Sequence, residues 1–315
     1  KEPYTIDEII CPSSDNEEKL AQGLFDILDK VIQKANSDVD FKQFSRIIIF
    51  HPPTPCIPFP GISSIGKFVF ESPDVTVRAS VAFINYKDFI PAGIGTSVER
   101  VLHFVLPAHE FGHNFGLAHA NRAQIRQGTN DYESFEQEDL HDIMGVSINH
   151  LNAPHKEEAV WLNPENIVVI DADNKFGEYT LKPLETTQPL HSIQQIKLPL
   201  RVKPNVFECQ ILCTNPPQCT TTSKQCSTES HYSSADKVYY TLEFRQPFDY
   251  DDGSQVTGLY SGVTIHLSAE PKENLPFKTN ILNYVIFNNP ATNQVVALPP
   301  KLRIGQPFED SANGY

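Results

Sequence analysis

His109-Glu-Phe-Gly-His113-Asn-Phe-Gly116-Leu-Ala-His119 places three imidazoles and one carboxylate within eleven residues. On an α-helix, residues four apart share a face, so the side chains of His109 and His113 converge on one point. Zinc takes histidine nitrogens in tetrahedral sites, and two of them half-complete a catalytic shell. Gly116 tolerates positive φ, so the helix can stop there and the chain swing under the metal. His119 can then approach as a third ligand, leaving the fourth position open. Glu110 directly follows the first ligand and can reach a water at that position. Such a water is acidified by the metal and deprotonated by the carboxylate, which is hydrolytic chemistry at neutral pH. The plainer reading is a helix that happens to carry several histidines. The glycine and the third histidine both falling in register weigh against it.

The chain has a single methionine, Met144, inside Asp142-Ile-Met144-Gly145. Any methionine is first a filler of core gaps, yet this one follows the histidines in a short turn-like motif. Histidines so spaced, followed by such a Met-turn, resemble the metzincin zinc peptidases. The wording is similar to the gametolysin-type secreted peptidases and their bacterial relatives near immune inhibitor A. The residues that carry the likeness are 109–120, 142–145 and Leu-Asn-Ala-Pro-His-Lys (151–156) leading into Trp161-Leu162. Segments 242–247, 262–267 and 305–310 are similar to the group's downstream β region, so the likeness spans roughly residues 45 to 310.

This resemblance implies zinc held by His109, His113 and His119, with Glu110 as general base and then proton donor. It implies Met144 as a hydrophobic floor rather than a ligand. It also implies a twisted sheet whose edge strand pairs with extended peptide substrate through main-chain hydrogen bonds. Val77 to Asn85 is the expected edge, with Ser80, Ala82 and Ile84 binding substrate. The sequence departs from the group twice. Val160 stands where a glycine often precedes Trp-Leu. Val146 stands two residues past the methionine, where some metzincins carry a switching tyrosine ligand; Tyr132 would serve only if its loop folded back.

These residues need elements to hold them. Apolar Leu20, Leu24, Phe25, Leu28, Val31 and Ile32 make one stripe of an amphipathic helix over 15–36. The runs 46–50, 67–70 and 75–85 read as strands, and a helix over about 97–116 carries the motif. Pro107 either kinks that helix or starts a fresh one. After residue 162 short strand-like runs at 168–170, 179–181, 196–198, 238–244, 262–267 and 282–287 alternate with Pro, Gly and Asn. The expected class is α+β: a metzincin catalytic domain of mixed twisted sheet and helices over 1–162, then an all-β, sandwich-like domain over 163–315 with a Cys-rich loop at 209–226. No internal repeat is visible.

Composition narrows the partners. The formal charge of −14 argues against nucleic acid or an anionic membrane surface, which select basic faces. No apolar run reaches the ~18 residues of a membrane-spanning helix. Six cysteines in an even, clustered pattern favour disulfides and an oxidising compartment over a four-cysteine zinc knot. A Cys11–Cys56 disulfide is expected rather than a Cys11 thiolate on the metal. The chain starts at Lys1, which reads as processing that could have removed a signal peptide. Asp249-Tyr-Asp251-Asp252-Gly253 has calcium-like oxygen spacing but no distal glutamate, so a solvated turn is expected, with Ca2+ as the alternative. His103, His141, His150 and His155 read as surface or hydrogen-bonded residues.

The expectation is therefore a secreted, monomeric zinc metalloendopeptidase acting on protein or peptide. Two alternatives come from other classes: a binding or adhesion protein with a vestigial zinc site, and a zinc amidase acting on a non-protein amide. The intact Glu110 argues against the first, because a disused site has no physical need of that carboxylate.

Overall fold

The computed structural model describes residues 5, 17–52, 54, 57, 59–72, 75–85, 97–125, 131–139, 141–145, 149–170, 177–214, 221–229, 232, 235–246, 262–270, 279–282, 286–289, 294–297 and 301–302. The protein is mixed α+β with far more strand than helix. Two compact units divide it, Lys1–Gly116 and Leu117–Tyr315.

In the first unit, helix α1 (Glu17–Ala35) buries Ile27, Leu28 and Ile32 against one face of a four-stranded sheet. The sheet comprises β1 (Arg46–His51), β2 (Gly61–Ser63), β3 (Phe68–Ser72) and β4 (Val75–Asn85). β4 runs parallel to β1 on one side. On its other side it pairs antiparallel with β3 near its start and with β2 near its end. Alternation sends Val75, Val77, Ala79, Val81 and Phe83 into the α1 core. Ser80, Ala82 and Ile84 take the opposite face and are also buried. Burial on both faces explains why the strand reads as a nearly continuous apolar run.

β4 is thus the central strand and not the expected edge. Ser80, Ala82 and Ile84 sit opposite Arg46, Ile48 and Phe50 of β1, while Ala82 and Ile84 also face Ser63 and Gly61 of β2. Their main chain lies inside the sheet, where no substrate strand can be added. The edge beyond β4 is formed by β2 and β3.

Helix α2 (Ser97–Asn114) is continuous through Pro107 and packs on β2 and β4. Its C-terminal end is pinned. Asn114, buried, donates from Nδ2 to the carbonyls of Ser64 and Val81, each at 3.2 Å. The Arg46 guanidinium lies 4.1 Å from the centre of the Phe115 ring, a cation–π contact on the exit from the helix.

In the second unit, ten strands form one mixed sheet. They are β5 (Ala120–Ile125), β6 (Tyr132–Phe135), β7 (Ile167–Val169), β8 (Gln195–Pro199), β9 (Val206–Thr214), β10 (Thr221–Glu229), β11 (Val238–Arg245), β12 (Gly262–Ala269), β13 (Thr279–Leu282) and, after the separate β14 (Ile286–Asn289) and β15 (Gln294–Ala297) ladder, β16 (Lys301–Leu302). The order is β10-β9-β6-β5-β13-β12-β11-β8-β7, with β16 on β12. A short helix α3 (Ala153–Glu158) is capped by Asn152 and starts with a proline near its N-terminus.

The units divide at Gly116–Leu117, and β5 and β6 pair with β13 and β9 of the C-terminal half. Among the described residues of this unit, ten strands share one hydrogen-bonded sheet and β14 and β15 form a second, two-stranded one. The Cys-rich segment is a β9–β10 hairpin, with Cys209 and Cys226 directly opposite and joined as a disulfide. The Cys11–Cys56 pair and the Asp249–Gly253 turn fall outside the described residues. Among the described residues no helix is long and apolar enough to cross a membrane.

Candidate metal centre

His109 and His113 lie one turn apart on α2, with ring centroids 4.8 Å apart and planes at 85°. The helix ends as the sequence predicts. Gly116 has φ +104°, and its N–H closes the last turn on the His113 carbonyl at 2.8 Å. Within the continuous segment 109–119, the ligand atoms of His109, His113 and His119 all lie within 4.8 Å of one another. The group could hold a metal ion, and its all-imidazole donor set suits zinc. A second group, Glu133 with Cys209 and Cys226, is equally compact. Its sulfurs are already spent in the disulfide.

Glu110 is buried, and strand β2 embraces its carboxylate. The Ser63 hydroxyl donates to Oε2 at 2.5 Å. At Gly61 a Cβ would come within 2.5 Å of Oε1, so only glycine admits the carboxylate in this position. Ser63 and Gly61 sit opposite Ala82 and Ile84, on the face of the sheet where α2 packs. Neither residue carries a signal in the sequence, because each meets Glu110 only through the sheet.

Met144 is fully buried with Leu117, Ala120 and Leu151. Its carbonyl accepts from the N–H of Ala120, the residue after His119, at 2.9 Å. The turn is held from beneath by Asp142. One carboxylate oxygen accepts from the Met144 N–H at 2.6 Å; the other accepts from Asn152 N–H at 2.7 Å and faces His155 Nδ1 at 2.8 Å. Burial alone would raise the Asp142 pKa, but the charge and hydrogen bond of His155 outweigh it and hold it below the usual carboxylate range. Burial alone would lower that of His155, and Asp142 turns it upward. His155 and His141 are therefore buried residues, where surface positions were an open expectation. Tyr132 does not fold back: its hydroxyl pairs with that of Tyr240 at 2.8 Å in the core of the second unit.

Comparison with protein-family models, with curated proteins and with solved structures finds no match to this chain.

Proposed function

We propose that the chain is a secreted zinc-dependent metalloendopeptidase of metzincin type, acting as a monomer on protein or peptide substrates. The observation that carries this reading is the convergence of three imidazoles beside a buried, hydrogen-bonded glutamate that follows the first of them. His109, His113 and His119 would hold the zinc, and Met144 would form its apolar floor. When bound, zinc supplies Lewis acidity, lowering the pKa of water and polarising the scissile carbonyl. Glu110 accepts the proton of the attacking water and returns it to the leaving amine nitrogen. One water is thereby divided across the C–N bond, its hydroxyl completing a carboxylic acid and the relayed proton an amine.

Substrate would enter as an extended strand along the β2–β3 edge, which no further strand covers among the described residues. The Cys209–Cys226 disulfide agrees with an oxidising compartment.

The test is Glu110→Ala, assayed for bound metal and for cleavage of an unfolded protein such as casein. Retained zinc with lost cleavage is expected. Full cleavage by the variant would overturn the assignment. Digesting a peptide library separates the rival readings: many internal cuts support a peptidase, no cuts a binding protein, and one unusual amide an amidase.

A further inference from the structure

His119 stands immediately before β5, and Glu136 immediately after β6. Those strands pair antiparallel with Arg122 opposite Phe135, so both residues emerge at the same end of the hairpin. There the Glu136 carboxylate lies 2.8 Å from His119 Nδ1. A carboxylate can only accept, so the imidazole must donate from Nδ1. In the neutral ring this leaves the lone pair on Nε2.

The turn beyond is built to keep this arrangement. Gln137 has φ +58°, a left-handed backbone uncommon outside glycine, asparagine and aspartate. Its N–H donates to Oδ1 of buried Asn121 at 3.0 Å, and Asn121 in turn donates to the Ser134 hydroxyl at 3.2 Å. The Gln137 amide lies 2.8 Å from His119 Nε2 and 3.4 Å from Nδ1. Being near both nitrogens at once, it lies across the ring rather than on the axis of either lone pair. Arg122 anchors the same turn, with Nε donating to Glu138 at 2.8 Å and the guanidinium 4.3 Å from the Phe135 ring centre.

We propose that Glu136 is the positioning residue of the third metal ligand, fixing His119 as the Nδ1–H tautomer and presenting Nε2 to the ion, with Gln137 steadying the ring. The proposal rests on the reading of His109, His113 and His119 as a zinc site. Carboxylate partners of ligating histidines change metal affinity by about 10–100-fold. The lower end is expected here because the Glu136 side chain is 46% exposed.

Two measurements test it without any assay of cleavage. In zinc competition against a chromogenic chelator, Glu136→Ala should raise the dissociation constant about tenfold. Glu136→Gln, which keeps an acceptor oxygen, should recover most of the loss. In the metal-free protein, long-range 1H–15N correlations of the imidazoles should show His119 as the Nδ1–H tautomer, with the Nε2–H form gaining in Glu136→Ala. A wild-type His119 found as Nε2–H overturns the proposal, as does zinc affinity unchanged in Glu136→Ala. Wild-type protein that takes up no zinc overturns the zinc reading instead, and the tautomer measurement still decides the role of Glu136.

Discussion

The Ser63 hydroxyl stands 2.5 Å from Oε2 of Glu110 and binds the carboxylate to strand β2. β2 also belongs to the sheet edge along which we propose that substrate enters. One strand would thus both receive substrate and hold the residue that moves the proton. A hydrogen bond to a charged group contributes about 1.5–3 kcal/mol. Where that bond orients a general base, its loss appears in the rate. Ser63→Ala should lower kcat about tenfold to a hundredfold, at ~1.4 kcal/mol per factor of ten, with KM and zinc content nearly unchanged. Ser63→Thr, which keeps the hydroxyl, should restore most of the rate. An alanine variant with wild-type kcat would remove Ser63 from the machinery.

The parts of the site that lay within one turn of helix were legible in the residues themselves. His109 and His113 share a face by the helical repeat, and Gly116 supplies the one backbone conformation that ends the helix there. Met144 stood out through its rarity, and its burial beside Leu117 and Ala120 follows from its chemistry. What strand order decides was not legible. Ser80, Ala82 and Ile84 alternate as an edge strand would, and only pairing on both sides of β4 shows that they are central. Ser63 and Glu110 are 47 residues apart, with nothing local to link them. The β9–β10 hairpin leaves no pattern in the sequence because Thr221–Glu229 is largely polar and so lacks the apolar alternation that marks a half-buried strand. Residues 179–181 show the reverse: Tyr-Thr-Leu has strand propensity but forms no strand, and Tyr179 is exposed.

Val160 gives a stability prediction in a place unrelated to chemistry. It has φ +59° and is 81% exposed at the turn before Trp161. A β-branched residue is strained in this region of backbone space, and such strain costs on the order of 1–3 kcal/mol. Val160→Gly should stabilise the protein by about 1 kcal/mol, the strain relieved less the greater chain entropy of glycine. Urea unfolding measures it, and a lower midpoint in the variant would contradict the strain argument.

The second unit contains a buried charge cluster with a definite pH signature. Glu243 faces His266 Nε2 at 3.3 Å and Arg245 at 3.5 Å, and accepts from the Ala153 N–H at 2.5 Å. His266 also faces Asp139 at 3.9 Å, and Arg245 pairs with Glu185 at 3.0 Å. Burial alone would raise the Glu243 pKa, but His266 and Arg245 bring it down to about 2. Burial alone would lower that of His266, and Glu243 carries it above its ordinary value. A lowered carboxylate stabilises the fold fully above its unfolded value of 4.5 and loses this as pH falls toward 2. A raised histidine stabilises fully below 6.5 and loses this as pH rises through its folded value. The pair therefore contributes most between pH 4.5 and 6.5. Urea unfolding of metal-free protein should show this maximum, and Glu243→Gln should flatten the acid limb. Parallel acid limbs in the two proteins would exclude Glu243 as the titrating group.

Gly116 is the counterpart of Val160: a left-handed position already held by glycine, in the segment between His113 and His119. Its φ is +104°, and a Cβ placed there would meet no atom within 4 Å. The penalty for a side chain is thus backbone strain alone, on the order of 1–3 kcal/mol. Alanine can escape it only by rotating the chain that leads to His119, three residues on. Gly116→Ala should therefore lower the stability of the metal-free protein by about 1–2 kcal/mol and weaken zinc binding as well. Chemical unfolding and chelator competition read the two effects separately. Since space is ample, side-chain size is immaterial, and Gly116→Ser should behave like Gly116→Ala. Wild-type stability in both variants would mean that the helix does not end through a left-handed residue, and the path proposed for His119 would have to be redrawn.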